Sequence, residues 1–146
     1  LLIVEITETA FMSDMRRTAA QLKELRRAGM RVALDDFGTG YASLACLATL
    51  PIDTVKLDRE FVVQTIAEKP ELLESVIQMA HRSGFNVVAE GVETAEQSAF
   101  LRSAGCDQLQ GYYYGKPMSC EAASALLETV AARESAYRRG RGPSLG

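Results

Sequence analysis

Two adjacent carboxylates follow an apolar run in the segment VALDDFGTGYASL, which spans residues 32–44. Asp35 and Asp36 carry like charges that repel each other, and burying either one is costly unless a cation or a hydrogen-bond donor compensates. The chain contains a single histidine, so a metal site built on imidazole ligands is nearly excluded. Because carboxylate oxygens suit Mg²⁺ or Mn²⁺, a divalent cation is a compensating partner that fits this pair.

Polar residues also end the other apolar runs that are predicted to be strands. Glu5, Lys56, Glu90 and Gln110 end the first, third, fourth and fifth of these runs. The carboxyl ends of parallel strands point to one face of an α/β fold, and that face carries the active site. Two cations held there could share a carboxylate and hold an attacking water against a phosphodiester. A single strand-end acid is as often a helix cap, which is our interpretation of Asp58, but six polar groups at five strand ends argue against coincidence.

The elements that must position these residues alternate between strand and helix. This alternation predicts a parallel sheet with right-handed crossovers, either an open doubly wound sheet or part of a (β/α)₈ barrel. No G-x-G-x-x-G follows the first strand, so the dinucleotide-binding fingerprint is absent. Ser13 and the T-x-x-Q box at 94–97 are predicted helix N-caps. The predicted strands span 1–6, 31–36, 53–58 and 86–92, and residues 107–115 are predicted to form a strand and a loop. The predicted helices span 13–29, 41–50, 59–66, 71–83, 94–104 and the segment after Ser119.

Composition limits the class of protein. The 146 residues are 47% hydrophobic and 24% charged, enough for one domain with a core. A net charge of -3 leaves no general basic surface for DNA or RNA. No apolar run is long enough to span a membrane, although a parent protein could be membrane-attached. Three cysteines without C-x-x-C spacing favour reduced thiols and a cytoplasmic location.

The chain is predicted to form one domain over residues 1–135, followed by a basic, glycine-rich and disordered tail over 136–146. The final helix is expected to turn its apolar residues inward, among them Leu126 and Val130. His81 is expected to face solvent in the middle of a helix.

Five segments carry a resemblance to a known family. In chain order they are VEITET, ALDDFGTGYASL, LPIDTVKLDREFV, VVAEGVET and CDQLQGYYYGKP. Together they resemble the C-terminal part of an EAL domain, the bacterial cyclic di-GMP phosphodiesterase family. The resemblance implies a modified (β/α)₈ barrel, of which this chain holds about five strands with their helices. It also implies an enzyme that binds two Mg²⁺ or Mn²⁺ ions, opens cyclic di-GMP to linear pGpG and is inhibited by Ca²⁺.

The resemblance also implies roles for individual residues. Glu5, Asp35, Asp36 and Glu90 resemble metal ligands, with Asp35 as the bridge between two ions. Lys56 resembles the residue that holds the water nucleophile or a phosphate oxygen, and Glu90 is either a ligand of the second ion or the general base. The loop after Asp36 links metal binding to dimerisation in the family. The remaining substrate-binding or supporting positions are Glu8, which resembles the glutamate that pins this loop, Gly38, Thr39, Gly40, Glu93 and Gln110.

Part of the family pattern is missing from these 146 residues. Neither the E-A-L strand with its metal-binding Glu nor the N-x-S strand with its Asn ligand occurs, and the chain opens without Met, as if cut from something longer. Five strands cannot close an eight-stranded barrel. Three interpretations stay open: a fragment of an intact enzyme, a half-barrel that closes by pairing with another chain, and a degenerate module that has lost catalysis.

These interpretations lead to two expectations. The chain alone is expected to be a weak or inactive phosphodiesterase, and the alternative is a non-catalytic cyclic di-GMP receptor or interaction module. The open, apolar edge of the first strand, residues 1–4, is expected to make the chain a homodimer or larger. The loop at 37–44 is the second candidate interface.

Overall fold

The computed structural model describes residues 2–40 and 50–140, with side chains as far as residue 131. The chain divides into two compact units, Leu1–Gly115 and Lys116–Gly146. The first unit contains all the described strands and every predicted site residue. Residues 41–49 of the predicted helix at 41–50, and with them residues 41–44 of the candidate interface at 37–44, lie outside the described residues.

Each strand of the sheet pairs in parallel with the next strand of the chain, so the order is the sequence order. A doubly wound sheet reverses its order at a switch point, and the described strands show no such reversal. The predicted parallel α/β sheet is confirmed, and its order is that of consecutive units of a (β/α)₈ barrel. The strands are β1 (Ile3–Thr7), β2 (Arg31–Phe37), β3 (Thr54–Leu57), β4 (Asn86–Ala89) and β5 (Gln108–Leu109).

Six helices are described. They are α1 (Glu8–Ser13), α2 (Met15–Arg27), α3 (Arg59–Glu68), α4 (Pro70–Arg82), α5 (Ala95–Ser103) and α6 (Cys120–Gly140). None of these helices is both long and apolar enough to cross a membrane.

The predicted N-cap at Ser13 is wrong. Ser13 ends α1 and donates its hydroxyl to the Ala10 carbonyl at 2.7 Å. Asp14 caps α2 instead, because its carboxylate accepts the Arg17 N–H at 3.1 Å. The T-x-x-Q box of α5 is confirmed with both reciprocal hydrogen bonds, and Asp58 caps α3 as interpreted.

The core lies between the sheet and its helices. Leu34, Val55 and Val87 stand side by side on β2, β3 and β4, and each is at most 1% exposed. Val55 and Leu57 are buried on one face of β3, so Lys56 between them lies on the opposite face. Side chains alternate between the two faces of the strand, so the apolar residues of β3 face the helices and its lysine faces the opposite side of the sheet.

Two aspartates tie neighbouring strands together at the amino-terminal edge of the sheet. Asp53 accepts the N–H of Val32 at 2.8 Å, and Asp107 accepts the N–H of Val87 at 2.7 Å. His81 contacts the same Asp107 oxygen at 2.8 Å, which gives the single histidine a partner within the fold. Backbone N–H groups that would be buried without a partner are costly, so these contacts stabilise the strand starts.

The second unit contains α6. Ser119 caps it, since its hydroxyl accepts the Ala122 N–H at 3.3 Å. The expectation that its apolar residues turn inward is wrong, because Leu126 and Val130 are 49% and 45% exposed. The helix extends to Gly140, so the first five residues of the predicted tail, 136–140, are helical. Residues 141–146 lie outside the described residues.

Candidate active site

Lys56 lies at the centre of the predicted site. Its ammonium nitrogen is 3.1 Å from Glu5 Oε1, 2.9 Å from Asp35 Oδ1 and 2.8 Å from Glu90 Oε1. Glu5 comes from β1, Asp35 from β2, and Glu90 directly follows β4. The parallel sheet therefore brings three carboxylates and one lysine, separated along the chain, to the same end of four neighbouring strands.

The Lys56 side chain stays protonated and positively charged in this environment. Its side chain is 12% exposed, and burial by itself lowers the pKa of an ammonium group. Contacts with Glu90, Asp35 and Glu5 outweigh the burial and raise the pKa of Lys56 above its ordinary value. Three carboxylates around one ammonium leave the cluster with a net charge of -2, which favours a further cation or a donor-rich ligand.

A bulge in β2 explains how two adjacent aspartates are accommodated. Leu34 pairs with Val55 and Phe37 with Leu57, so Asp35 and Asp36 together stand opposite the single residue between those partners. Such a bulge bends the strand and changes where its side chains point, and bulges are common beside active sites. Asp36 has φ 57°, a left-handed conformation uncommon for a residue with a side chain.

The loop after Asp36 packs closely against two other elements. Thr39 donates its backbone N–H and its hydroxyl to the Asp36 carbonyl at 3.3 and 2.9 Å. A Cβ on Gly38 would lie 2.4 Å from Phe61 Cγ, and a Cβ on Gly40 would lie 2.3 Å from Glu8 Oε1. Glycine at these two positions therefore allows the close approach. Glu8, only 3% exposed, lies against the loop.

A second loop, from Glu90 to Glu93, follows β4. Val92 donates its N–H to the Gln110 carbonyl at 3.0 Å, and Glu93 donates its own to Gln97 Oε1 at 2.8 Å. A cavity of about 460 Å³ opens beside this loop and brings the predicted residues Glu90, Glu93 and Gln110 together. Its lining is Arg59, Glu90, Gly91, Glu93, Gln110, Gly111 and Tyr112.

The sequence analysis missed Arg59 in the lining of this cavity. Arg59 pairs with Glu93 across 2.8 Å and occupies the first position of α3. A positive charge at a helix N-terminus opposes the helix dipole, and this unfavourable placement was the available signal.

The donor set around Lys56 suits a hard divalent cation. Asp35 Oδ1 is shielded from solvent, and its contact with Lys56 has the distance of an ion pair without the geometry of a hydrogen bond. A buried carboxylate oxygen with no hydrogen bond can accept a metal ion. Within residues 2–40 and 50–131, however, no three acidic, histidine or cysteine side chains are already arranged around a common metal position. Lys56 supplies the positive charge on which the carboxylates converge.

Comparison with known proteins decides the family. The family profile for the EAL domain matches residues 1–117 of this chain. The chain belongs to the EAL domain family. It is 40% identical over 144 residues to the cyclic di-GMP phosphodiesterase NbdA of Pseudomonas aeruginosa, covering 97% of this chain and 18% of that protein.

Two solved structures carry the same EAL fold. The MucR phosphodiesterase of Pseudomonas aeruginosa, in complex with c-di-GMP, is 37% identical with a TM-score of 0.76, over 84% of this chain and 50% of that one. BlrP1 of Klebsiella pneumoniae, in a manganese and c-di-GMP complex, is 38% identical with a TM-score of 0.72, over 79% of this chain and 30% of that one. The chain thus spans at most half the length of these three proteins.

Proposed function

We propose that this chain carries the catalytic residues of a metal-dependent phosphodiesterase that hydrolyses cyclic di-GMP to linear pGpG. The single observation that carries the proposal is Lys56, held within 3.1 Å of carboxylates from three strand ends beside an open cavity. The family and its relatives support it, because NbdA is named a cyclic di-GMP phosphodiesterase and the MucR structure holds c-di-GMP.

The reaction sets the tasks of the protein groups. Hydrolysis joins the oxygen of a water to phosphorus and breaks one bond between phosphorus and a 3′ oxygen, which then takes up a proton. Lys56 remains charged and can hold a phosphate oxygen or the attacking water. Glu90, 2.8 Å from Lys56, would act as the base that accepts the proton of the water or as a ligand of the second ion. Gln110, in the cavity wall, is an outer contact for the substrate.

The proposal includes one or two Mg²⁺ or Mn²⁺ ions. Glu5, Asp35, Asp36 and Glu90 would hold them, with Asp35 shared between two ions, and the manganese in the BlrP1 structure supports this assignment. When bound, such ions make water more acidic and stabilise negative charge on the phosphate. Ca²⁺, which takes more ligands at longer distances, is expected to bind and inhibit. Glu8, Gly38, Thr39 and Gly40 would hold the Asp36 loop, and Glu93 would support Glu90.

The test measures pGpG release from cyclic di-GMP by the full-length protein, with Mg²⁺, Mn²⁺ or no divalent cation. We expect release only with a cation, and Asp35→Asn should abolish it. Asp14→Asn is the matched control, since asparagine caps a helix as well as aspartate and Asp14 caps α2. Unchanged turnover in Asp35→Asn would remove the assigned role. Calorimetry with cyclic di-GMP and Ca²⁺ distinguishes the alternative, because binding without hydrolysis under any cation would support a receptor.

Self-association is a further part of the proposal. Ile3 on β1 and Leu2 just before it are 52% and 61% exposed, and β1 pairs only with β2 among the described strands. Exposed apolar strand edges tend to pair with another chain, so we propose a homodimer through β1. Light scattering that gives 15.9 kDa, the mass of one chain, would contradict it. We propose a cytoplasmic location, because the three cysteines are odd in number and lack C-x-x-C spacing, which favours reduced thiols.

A further inference from the structure

Arg59 is unfavourably placed for the stability of its own helix. It occupies the first position of α3, directly after the cap Asp58, where the helix dipole presents partial positive charge. Its side chain is 58% exposed, so burial does not explain it either. Its position is instead explained by the contacts that it makes with the Glu90–Glu93 loop.

Arg59 contacts both ends of the short segment that follows Glu90. Its Nε donates to Glu93 Oε1 at 3.0 Å, and a terminal nitrogen lies 2.8 Å from the same oxygen. Its aliphatic stem covers Gly91, because a Cβ built on Gly91 would lie 2.2 Å from Arg59 Cγ. Gly91 also has φ 66°, so glycine permits both the left-handed turn and the close approach of Arg59.

The segment covered by Arg59 adjoins Glu90. Glu90 precedes Gly91 and reaches Lys56 at 2.8 Å, so the path of the chain at Gly91 determines where the Glu90 carboxylate lies. We propose that Arg59 is a positioning residue, which holds the Glu90–Glu93 loop by its stem and its ion pair and thereby keeps Glu90 against Lys56. The catalytic consequence rests on the proposed function, whereas the effect on the loop does not.

Hydrogen bonds and packing fix the backbone of the helical turn that carries Arg59. Asp58 accepts the N–H groups of Glu60 and Phe61 at 2.7 and 3.3 Å, which orders the first turn of α3. Phe61, on the same turn, lies against Gly38 and packs edge to face on Phe37 with ring centres 6.3 Å apart. One helical turn therefore contacts the loop after β2, which follows the predicted ligand Asp36, and the loop after β4, which begins with the predicted ligand Glu90.

The first experiment measures hydrogen exchange in the full chain, at the amides of residues 90–97. Arg59→Ala should speed exchange there about two- to fivefold, the range that corresponds to an exposed ion pair. Arg59→Lys keeps a charge and an aliphatic stem but offers one donor nitrogen, so its exchange should be intermediate. Arg27→Ala is the matched control, since it removes an exposed arginine paired with Glu24 on α2. Exchange in Arg59→Ala equal to that of the unchanged protein would overturn the proposal.

The second experiment measures cyclic di-GMP hydrolysis by the full-length protein. Displacing Glu90 should lower kcat about 10- to 100-fold in Arg59→Ala, with KM changed less than about threefold. Adding Glu93→Ala to Arg59→Ala should lower kcat little further, because both substitutions release the same loop. A raised KM with unchanged kcat would mean that Arg59 binds substrate, and additive losses would mean that it does not act through Glu93; either result overturns the proposal. If the unchanged protein hydrolyses nothing, the proposed function fails, and the exchange measurement still decides whether Arg59 holds the loop.

Discussion

Replacing Lys56 by methionine tests the charge balance of the site. Lys56→Met keeps an unbranched side chain of similar length but removes the ammonium, so Glu5, Asp35 and Glu90 are left with no countercharge between them. The Asp35 and Glu90 side chains are only 21% and 22% exposed, which limits how far water can replace the lost partner. The three carboxylates would then repel one another across the space that Lys56 now occupies.

The expected loss in the free energy of unfolding at pH 7 is about 2–4 kcal/mol. The contacts with the partly buried Asp35 and Glu90 carry most of it, because removing one partner of a fully buried ion pair costs about 3–5 kcal/mol and a partly buried pair costs less. The contact with Glu5, whose side chain is 50% exposed, adds about 0–1 kcal/mol. Apolar contacts of the new methionine return part of the loss, which keeps the total below the simple sum.

The pH range over which Lys56 stabilises the fold follows from its raised pKa. Because the folded protein raises the pKa of Lys56, its stabilising contribution is complete below the ordinary value of 10.5 and is lost only as pH rises through the raised value. At pH 7 the full contribution is therefore removed by the substitution. The same loss is expected at pH 9, which also lies below the ordinary value.

Urea denaturation of both proteins at pH 7 and pH 9, followed by circular dichroism, measures these differences. Arg27→Met is the control, because it removes a cation that pairs with an exposed glutamate, and it should change stability by less than about 0.5 kcal/mol. Mn²⁺ should restore part of the stability lost in Lys56→Met by binding the folded state. A loss below about 1 kcal/mol at pH 7, or a clearly different loss at pH 9, would refute the reasoning.

Three further predictions concern packing, the sheet edge and a thiol. Gly38→Ala should lower the free energy of unfolding, measured in urea, by about 2–4 kcal/mol, because φ 106° and the Phe61 ring on α3 both oppose a Cβ. Gly29→Ala is the control, since Gly29 has φ 84° but open space around it, and it should lose only about 1 kcal/mol. Equal losses in the two variants would contradict the steric clash with Phe61. Asp107→Ala should lower the free energy of unfolding by about 1–2 kcal/mol at pH 7. The hydrogen bonds of Asp107 outweigh its burial and lower its pKa below 3.8, so the difference between the two proteins should vanish as pH falls below that value. A loss that persists in acid would contradict this prediction. Burial raises the pKa of Cys106 to about 11, so iodoacetamide at pH 8 should modify the exposed Cys120 long before it modifies Cys106. Peptide mass spectrometry measures the two rates, and equal rates would contradict the prediction.

Several features of the fold were specified locally and could be predicted from the sequence. The capping box of α5 joins Thr94 to Gln97, and the cap of α3 joins Asp58 to Phe61, each within three residues. Alternating apolar and polar runs predicted the five strands and their parallel class. The same local rules failed at the start of α2, where Ser13 and Asp14 are both good capping residues and Ser13 is used to end α1. The sequence does not show which of these two adjacent residues caps α2, because the choice depends on which helical turn each side chain contacts in the folded protein.

The grouping of the candidate site was anticipated from strand ends, but its arrangement was not. Glu5 lies 51 positions before Lys56 and Glu90 lies 34 positions after it, so no local pattern relates their side chains. The parallel sheet brings all three to the same end of its strands, and the bulge in β2 sets Asp35 and Asp36 opposite one residue. That Lys56 lies among the carboxylates, 2.8–3.1 Å from three of them, is known only from the assembled sheet.

Sequence alone therefore determined the order of the five strands, the helix caps of α3 and α5, the polar strand ends and the family resemblance. Tertiary structure decided which charges meet, that Asp36 adopts a left-handed conformation, and that Arg59 covers Gly91. The physical reason is the range of the interactions. Caps and alternation depend on hydrogen bonds and burial between residues a few positions apart, whereas the site depends on contacts that form only after distant strands have closed into one sheet.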